Sequence, residues 1–193
     1  LLFSAKVLRA ADGGVTPLKK KIAPARATQI VPPGARSDTN MFGKCTACQL
    51  CVSVCPNEVL RPSQNLGTLM KPVMSYENGY CRPECVKCSE VCPAGAIEKI
   101  TIADKSSIQV GRAVHVLERC LTQVDKIDCD NCADSCPAEA IQMMPSDPKN
   151  KKSRKIPIIN TEKCIGCGAC ENLCPSRPLS AIYVEGHERH KII

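Results

Sequence analysis

The stretch Cys45-Thr-Ala-Cys48-Gln-Leu-Cys51-Val-Ser-Val-Cys55-Pro56 decides the fold of this chain. It has a counterpart near the carboxyl end, Cys164-Ile-Gly-Cys167-Gly-Ala-Cys170-Glu-Asn-Leu-Cys174-Pro175. In both stretches three cysteines stand three residues apart, and a fourth follows after three more residues and precedes proline. Proline suits the first turn of a helix, where a backbone N–H has no partner to lose. Each stretch therefore predicts a tight loop of three cysteines, with a helix beginning at the fourth.

Two further groups of cysteines make the pattern an internal repeat. They are Cys81-x3-Cys85-x2-Cys88-x3-Cys92-Pro93 and Cys120-x8-Cys129-x2-Cys132-x3-Cys136-Pro137. The last three cysteines keep the spacing of the other groups, and only the first has moved upstream. A longer loop can still return that thiolate to its site, so all four groups retain four candidate ligands.

The spacing indicates cubane iron–sulfur clusters. Three thiolates at this spacing wrap one face of a [4Fe–4S] cluster, and the fourth cysteine of such a run ligates a neighbouring cluster. Because no group lacks a cysteine, the sequence predicts four [4Fe–4S] clusters and no three-iron variant. The predicted metal ligands are all sixteen cysteines: Cys45, Cys48, Cys51, Cys55, Cys81, Cys85, Cys88, Cys92, Cys120, Cys129, Cys132, Cys136, Cys164, Cys167, Cys170 and Cys174.

Other uses of sixteen cysteines fit the pattern less well. A disulfide framework does not need four repeats that each end in Cys-Pro. Structural zinc usually takes two separated Cys-x2-Cys pairs, and no Cys-x-x-Cys precedes histidine, which excludes attached c-type haem. His115, His187 and His190 are expected at the surface because each set of thiolates is already complete. With no nucleotide-binding loop and no nucleophile beside a base, the chain is predicted to be an electron carrier and not an enzyme by itself.

Composition agrees with a protein built around clusters. Only 3% of the residues are aromatic, so metal ligation is expected to supply much of the folding free energy. The formal charge of +7 counts every cysteine as neutral. Four oxidised clusters with their thiolates would add about −8. The basic side chains then compensate buried anionic clusters, and nucleic-acid binding is not expected.

The repeat predicts an α+β fold of loops, short helices and short antiparallel strands. Runs rich in β-branched residues place strands at 97–102, 108–116, 156–159 and 181–184. Residues 1–40 lack cysteine and contain four prolines, which predicts an extended tether. Residues 41–193 form the predicted cluster-binding domain, with residues 149–155 as a basic surface loop. No run of eighteen apolar residues is present, and the start at Leu1 predicts that a membrane or signal segment precedes the tether.

The four groups together resemble the NapG/MauM-type polyferredoxins, and Val31-Pro-Pro-Gly-Ala35 before Phe42 is similar to their Pro-Pro-Gly lead-in. The resemblance covers residues 30–193, and part of it is shared with the ferredoxin portion of fused NapH/NapG-like membrane proteins. It implies a bacterial ferredoxin-like fold and a respiratory electron carrier on the periplasmic face of the inner membrane, with a cytoplasmic location as the alternative. The implied partners are a membrane quinol-linked subunit and a terminal oxidoreductase. A subunit of a larger molybdenum-type oxidoreductase is the alternative function, and a zinc or disulfide protein the remote one.

Related four-cluster subunits of molybdenum oxidoreductases imply a pairing of groups. There the two outer groups exchange their fourth cysteines, and so do the two inner groups. By position the implied sets are Cys45, Cys48, Cys51 with Cys174; Cys164, Cys167, Cys170 with Cys55; Cys81, Cys85, Cys88 with Cys136; and Cys120, Cys129, Cys132 with Cys92. This gives two interleaved dicluster modules, an inner one at about 75–145 and an outer one of 41–60 plus 156–193. Sequential pairing, first group with second and third with fourth, remains open.

Overall fold

A computed structural model describes residues 20–150 and 153–193 as short helices and antiparallel strand pairs. The helices are α1 (Asp38–Lys44), α2 (Leu50–Ser53), α3 (Lys87–Glu90), α4 (Ile102–Ser107), α5 (Leu121–Val124), α6 (Asn131–Asp134) and α7 (Ala169–Leu173), with 3₁₀ turns at Leu66–Thr68 and Leu117–Arg119. The strands are β1 (Leu60–Pro62), β2 (Pro72–Met74), β3 (Ile108–His115), β4 (Ile141–Pro145), β5 (Lys155–Ile159) and β6 (Ile182–Ile192). In the described part of the chain, no helix is long and apolar enough to cross a membrane.

The strands form three two-stranded sheets. The pairs β1–β2 and β4–β5 lie close in sequence, and each follows a Cys-Pro step, with Leu60 opposite Met74 and Ile141 opposite Ile159. The third pair joins β3 to the carboxyl-terminal β6 and shifts register between Gln109 and Gly111. The coarse prediction of short helices with short antiparallel strands is therefore confirmed.

Three of the four predicted strands are present, and one prediction is wrong. The runs at 108–116, 156–159 and 181–184 overlap β3, β5 and β6, although β6 extends eight residues further than expected. Residues 97–102 form no strand. Thr101 accepts a hydrogen bond from the Asp104 N–H, and the Asp104 carboxylate accepts one from the Thr101 N–H. This capping box begins α4 immediately after the apolar run, so local capping outweighs strand propensity there.

Two buried apolar clusters follow the order of the sequence. The first includes Ile30, Val59, Tyr76 and Ile97, with Val110 added from β3 and Val184 from β6. The second gathers Ala113, Cys120, Ala140, Ile141, Cys164, Cys170, Cys174, Ala181 and Ile182. Each cluster draws mainly on one half of the described chain, because the local pairs β1–β2 and β4–β5 return the chain to the half from which it came. The division into inner and outer modules stays a prediction.

The predicted tether is wrong for residues 21–40, while residues 1–19 lie outside the described part of the chain. Ile30 and Val31 are each 1% exposed, and Ala35 is fully buried. The carbonyl of Ile30 accepts a hydrogen bond from the Met74 N–H at 2.7 Å, which attaches this segment to β2. Its prolines restrict the chain to an extended path across the core, and they do not keep it away from the core. The predicted surface loop at 149–155 falls partly on residues outside the description; Lys149, Asn150 and Arg154 are exposed.

Partial burial of the histidines predicts a pH-dependent stability. Burial lowers the pKa of His190 on β6 to about 4, and it also lowers the pKa values of His115 and His187, so none of the three is a fully solvated surface group. The folded form resists the proton that the unfolded chain binds below pH 6.5, and stability is therefore lost as pH falls from 6.5 towards 4. We expect His190 to cost about 2 kcal/mol between pH 7 and pH 5.

The measurement is thermal unfolding of cluster-loaded protein at pH 7 and pH 5, with H190Q as the comparison. The glutamine variant should lose less stability over this interval than the native chain. An identical loss in both proteins would contradict the assignment to His190.

Candidate metal centres

The cysteine loops of the first and fourth groups share one backbone conformation. Ala47 and Gln49 have φ values of 56° and 64°, and the equivalent Gly166 and Gly168 have 74° and 82°. These left-handed residues turn the chain between successive cysteines and lead into α2 and α7. Glycine is required at 168, because a Cβ atom there would lie 2.2 Å from the Tyr76 ring.

The short helices lie before the Cys-Pro steps and not after them, as the sequence had suggested. A turn follows the step in the first three groups, and its third residue after the cysteine has positive φ: Glu58 at 51°, Gly95 at 62° and Glu139 at 48°. A left-handed residue at this position prevents a helix from continuing through the turn. In all four groups the short helix ends one or two residues before the fourth cysteine, which therefore stands just beyond the helix.

Four cavities are each lined by four cysteines. One is lined by Cys45, Cys48, Cys51 and Cys92. A second is lined by Cys55, Cys81, Cys85 and Cys88. A third is lined by Cys120, Cys129, Cys132 and Cys174, and a fourth by Cys136, Cys164, Cys167 and Cys170. We call these sets 1, 2, 3 and 4, after the group that supplies three of the cysteines. All sixteen predicted ligands are therefore placed at a cavity.

This grouping differs from the pairing that the resemblance implied and agrees with the sequential alternative. Set 1 is completed by Cys92 of the second group and not by Cys174, and set 3 is completed by Cys174 and not by Cys92. The reason is the packing of neighbouring helices. Helix α2 contacts α3, and α6 contacts α7, so the first group exchanges its fourth cysteine with the second and the third group with the fourth. The cysteines that line each cavity are those grouped by sequential pairing, first group with second and third with fourth.

Backbone N–H groups point at several sulfur atoms. The Sγ atom of Cys92 accepts from Ile97 N–H at 3.4 Å, that of Cys136 from Ala140 at 3.3 Å, and that of Cys174 from Ala181 at 3.3 Å. Further N–H donors lie 3.4 Å from the Sγ atoms of Cys45 and Cys164. Such donors stabilise thiolate charge and are one determinant of cluster potential.

Burial makes these thiols unfavourable places for an uncompensated negative charge. It is the main cause that raises the pKa of Cys51 to about 11 and the pKa values of Cys88 and Cys132 to about 12, with neighbouring thiols adding to the effect. Without metal these groups would hold their protons at neutral pH. Iron would replace these protons on binding, so metal binding would be coupled to folding.

The donors therefore fit a polynuclear cluster with four thiolate ligands. Among the described residues, no group of three or more His, Cys, Asp or Glu side chains is arranged to hold a metal ion directly. Each cavity instead has four cysteine thiols spread around its walls, together with apolar side chains. Of the sixteen cysteines, all within the described residues, Cys48 is exposed and the others are buried or half-buried.

Sets 2 and 4 meet where the two halves of the chain touch. The N–H of Cys81 donates to the carbonyl of Cys167 at 2.9 Å. Beside this contact the hydroxyl of Tyr76, whose side chain is fully buried, donates to the carbonyl of Gly166 at 2.7 Å. The contact joins the ligand loops of the two sets through a single pair of backbone groups.

Sequence reasoning missed four polar residues around the sets, of which three are buried and Arg26 is half-buried. Lys105 and Lys21 donate to backbone carbonyls beside cysteines, Arg26 pairs with Glu171 at 2.5 Å, and Glu171 is 2% exposed. No motif marks any of them, because a lysine or arginine in a basic chain normally belongs to the surface.

Comparison with known proteins supports these sites. Residues 41–61 match a family of 4Fe-4S binding domains, and residues 127–177 match a family of 4Fe-4S dicluster domains. The ferredoxin-type protein NapG of Escherichia coli is 28% identical over 172 residues, covering 86% of this chain and 74% of the relative. The ferredoxin-type protein NapF of the same organism is 28% identical over 159 residues, covering 82% of this chain and 87% of the relative.

A methylamine utilization protein extends the likeness at slightly higher identity. The ferredoxin-type protein MauM of Methylophilus methylotrophus is 31% identical over 157 residues, covering 78% of this chain and 69% of the relative. These matches cover most of the chain and include both halves of the structure. The chain belongs to the NapG/MauM family of ferredoxin-type electron-transfer proteins.

Proposed function

We propose that the chain binds four [4Fe–4S] clusters, one on each of sets 1 to 4, and conducts single electrons along them. The four cavities, each lined by four cysteines, carry this proposal. A bound cluster exchanges one electron at a time, and the chain supplies thiolate ligands, N–H donors and apolar walls that limit water.

The order of the sets along the molecule is 1, 2, 4, 3. Helices α2 and α3 run between sets 1 and 2, since Cys51 and Cys88 lie on them and Cys55 and Cys92 lie just beyond. Helices α6 and α7 likewise run between sets 3 and 4, since Cys132 lies on α6 and Cys170 lies on α7. The Cys81–Cys167 hydrogen bond joins set 2 to set 4. Sets 1 and 3 are then the ends of a linear array, and exposed Cys48 gives set 1 an edge at the surface.

The two ends are the places where redox partners would exchange electrons with the chain. We propose a membrane quinol-linked donor or acceptor at one end and a terminal oxidoreductase at the other, on the periplasmic face of a bacterial membrane. The support is membership of the family that contains NapG and MauM. By the same reasoning the chain is a carrier and has no catalytic site of its own.

Iron and acid-labile sulfide should each approach sixteen atoms per chain in anaerobically purified protein. After reduction with dithionite, electron paramagnetic resonance (EPR) should show S = 1/2 signals broadened by interaction between neighbouring clusters. Protein reconstituted with iron and sulfide that retains little of either, and instead binds stoichiometric zinc, would refute the proposal.

A further inference from the structure

Lys105 is a buried lysine whose ammonium group lies against the ligand loop of set 2. It belongs to α4, its exposure is 5%, and its Nζ atom donates to the carbonyl of Arg82 at 2.5 Å and to that of Cys85. Both carbonyls belong to the 81–88 loop, which supplies three of the four cysteines of set 2. The capping box at Thr101 determines where α4 begins and so which of its residues faces this loop.

In the described part of the chain, no carboxylate forms an ion pair with this ammonium group. The ion pairs of the described residues join Arg26 with Glu171, Arg36 with Glu98 and Arg61 with Glu77, and none includes Lys105. Burying an unpaired ammonium is costly, and two carbonyl oxygens offset only part of that cost. A negatively charged group in the adjacent cavity would supply the remaining compensation.

The chemistry at Cys81 agrees with such a pairing. The Lys105 ammonium also forms a hydrogen bond with the thiol of Cys81, one of the four candidate ligands of set 2. The same ammonium therefore contacts both the loop carbonyls and a candidate ligand atom. Both interactions act on set 2.

We propose that Lys105 is a positioning and tuning residue that raises the reduction potential of the cluster held by Cys55, Cys81, Cys85 and Cys88. This inference rests on the proposed function. Reduction adds a negative charge to the cluster, and a permanent positive charge a short distance away in a poorly solvated region stabilises the reduced form more than the oxidised form. An electron inside the array would then reside preferentially on the set 2 cluster.

The second buried lysine differs in its surroundings. Lys21 donates to the carbonyls of Glu171, Asn172 and Cys174 at 2.6, 2.6 and 3.0 Å. The buried carboxylate of Glu171 belongs to the same neighbourhood, so the positive field of Lys21 is partly cancelled. Among the residues that the structure describes, no carboxylate pairs with Lys105 in this way.

The test is a redox titration, followed by EPR, of cluster-loaded full chain carrying K105M or K105Q. Glutamine removes the charge but keeps N–H donors for the carbonyls, which separates electrostatics from support of the loop. K163M is the matched control, because Lys163 precedes the ligand Cys164 but is exposed to water. The variant C85A identifies the titration step of set 2 as the step that it removes.

Both Lys105 variants should make reduction of the set 2 cluster about tenfold less favourable, a decrease of 59 mV for one electron. The other three steps, and all four steps of K163M, should stay unchanged. A K105Q protein with full iron and an unshifted set 2 step would overturn the inference. Loss of that cluster from both variants would also overturn it, because the residue would then be needed for assembly. A native chain without four clusters would instead refute the proposed function itself.

Discussion

Replacing Cys48 and Cys92 together with alanine is expected to remove one cluster, whereas replacing Cys48 and Cys174 together is expected to damage two. Cys48 and Cys92 line the same cavity, so the double variant takes two ligands from set 1 and leaves the other sets intact. Cys174 lines the cavity of set 3. The first variant should retain about twelve iron atoms, and the second should alter two of the four clusters.

The measurements are iron and sulfide content together with Mössbauer or EPR spectra of anaerobic protein. Alanine is used because serine could ligate iron through oxygen. If the two outer groups were paired instead, the opposite numbers of altered clusters would be expected. Cys48 and Cys174 would then share a cluster, and Cys48 and Cys92 would not. One altered cluster in C48A/C174A and two in C48A/C92A would therefore contradict the sets described above.

Replacing Arg26 with methionine is expected to lower the free energy of unfolding by about 3 kcal/mol. The Arg26 guanidinium lies 2.5 Å from Glu171, and the two side chains are 10% and 2% exposed. It also donates to the carbonyl of Val184 at 2.8 Å and lies 5.7 Å from the centroid of the Tyr76 ring. Methionine would fill much of the volume but would leave a buried carboxylate without its partner.

The matched control is R36M. Arg36 forms an ion pair of similar length with Glu98, at 2.6 Å, but the two side chains are 73% and 35% exposed. Exposed pairs contribute at most about 1 kcal/mol. Thermal loss of the visible circular dichroism of cluster-loaded protein should therefore occur several degrees lower for R26M than for R36M. Equal midpoints for the two variants, at equal iron content, would show that burial of the Arg26–Glu171 pair has no special effect.

Features determined by near neighbours could be predicted from the sequence. The spacing within each cysteine group depends on a few consecutive residues, so the sixteen candidate ligands could be identified without the fold. Strand propensity located β3, β5 and the start of β6. The error at 97–102 was itself local, since the capping box between Thr101 and Asp104 could have been recognised as a helix start. The prolines before Phe42 were interpreted as a tether because a proline-rich segment gives no sign of the core against which it packs.

The partner of each fourth cysteine was decided by tertiary structure. All four groups end in the same way, so Cys92 and Cys174 were equally suitable to complete set 1. The choice depends on which short helices pack together and on strand pairs that close within each half of the chain. The sequence also did not show which charged side chains are buried, since Lys105 and Arg26 resemble ordinary solvated residues until the fold is known. The sequence alone determined which atoms are candidate iron ligands, because ligand spacing is a local property. Only the tertiary structure decided their grouping, order and electrostatic surroundings, because these depend on contacts between residues far apart in the chain.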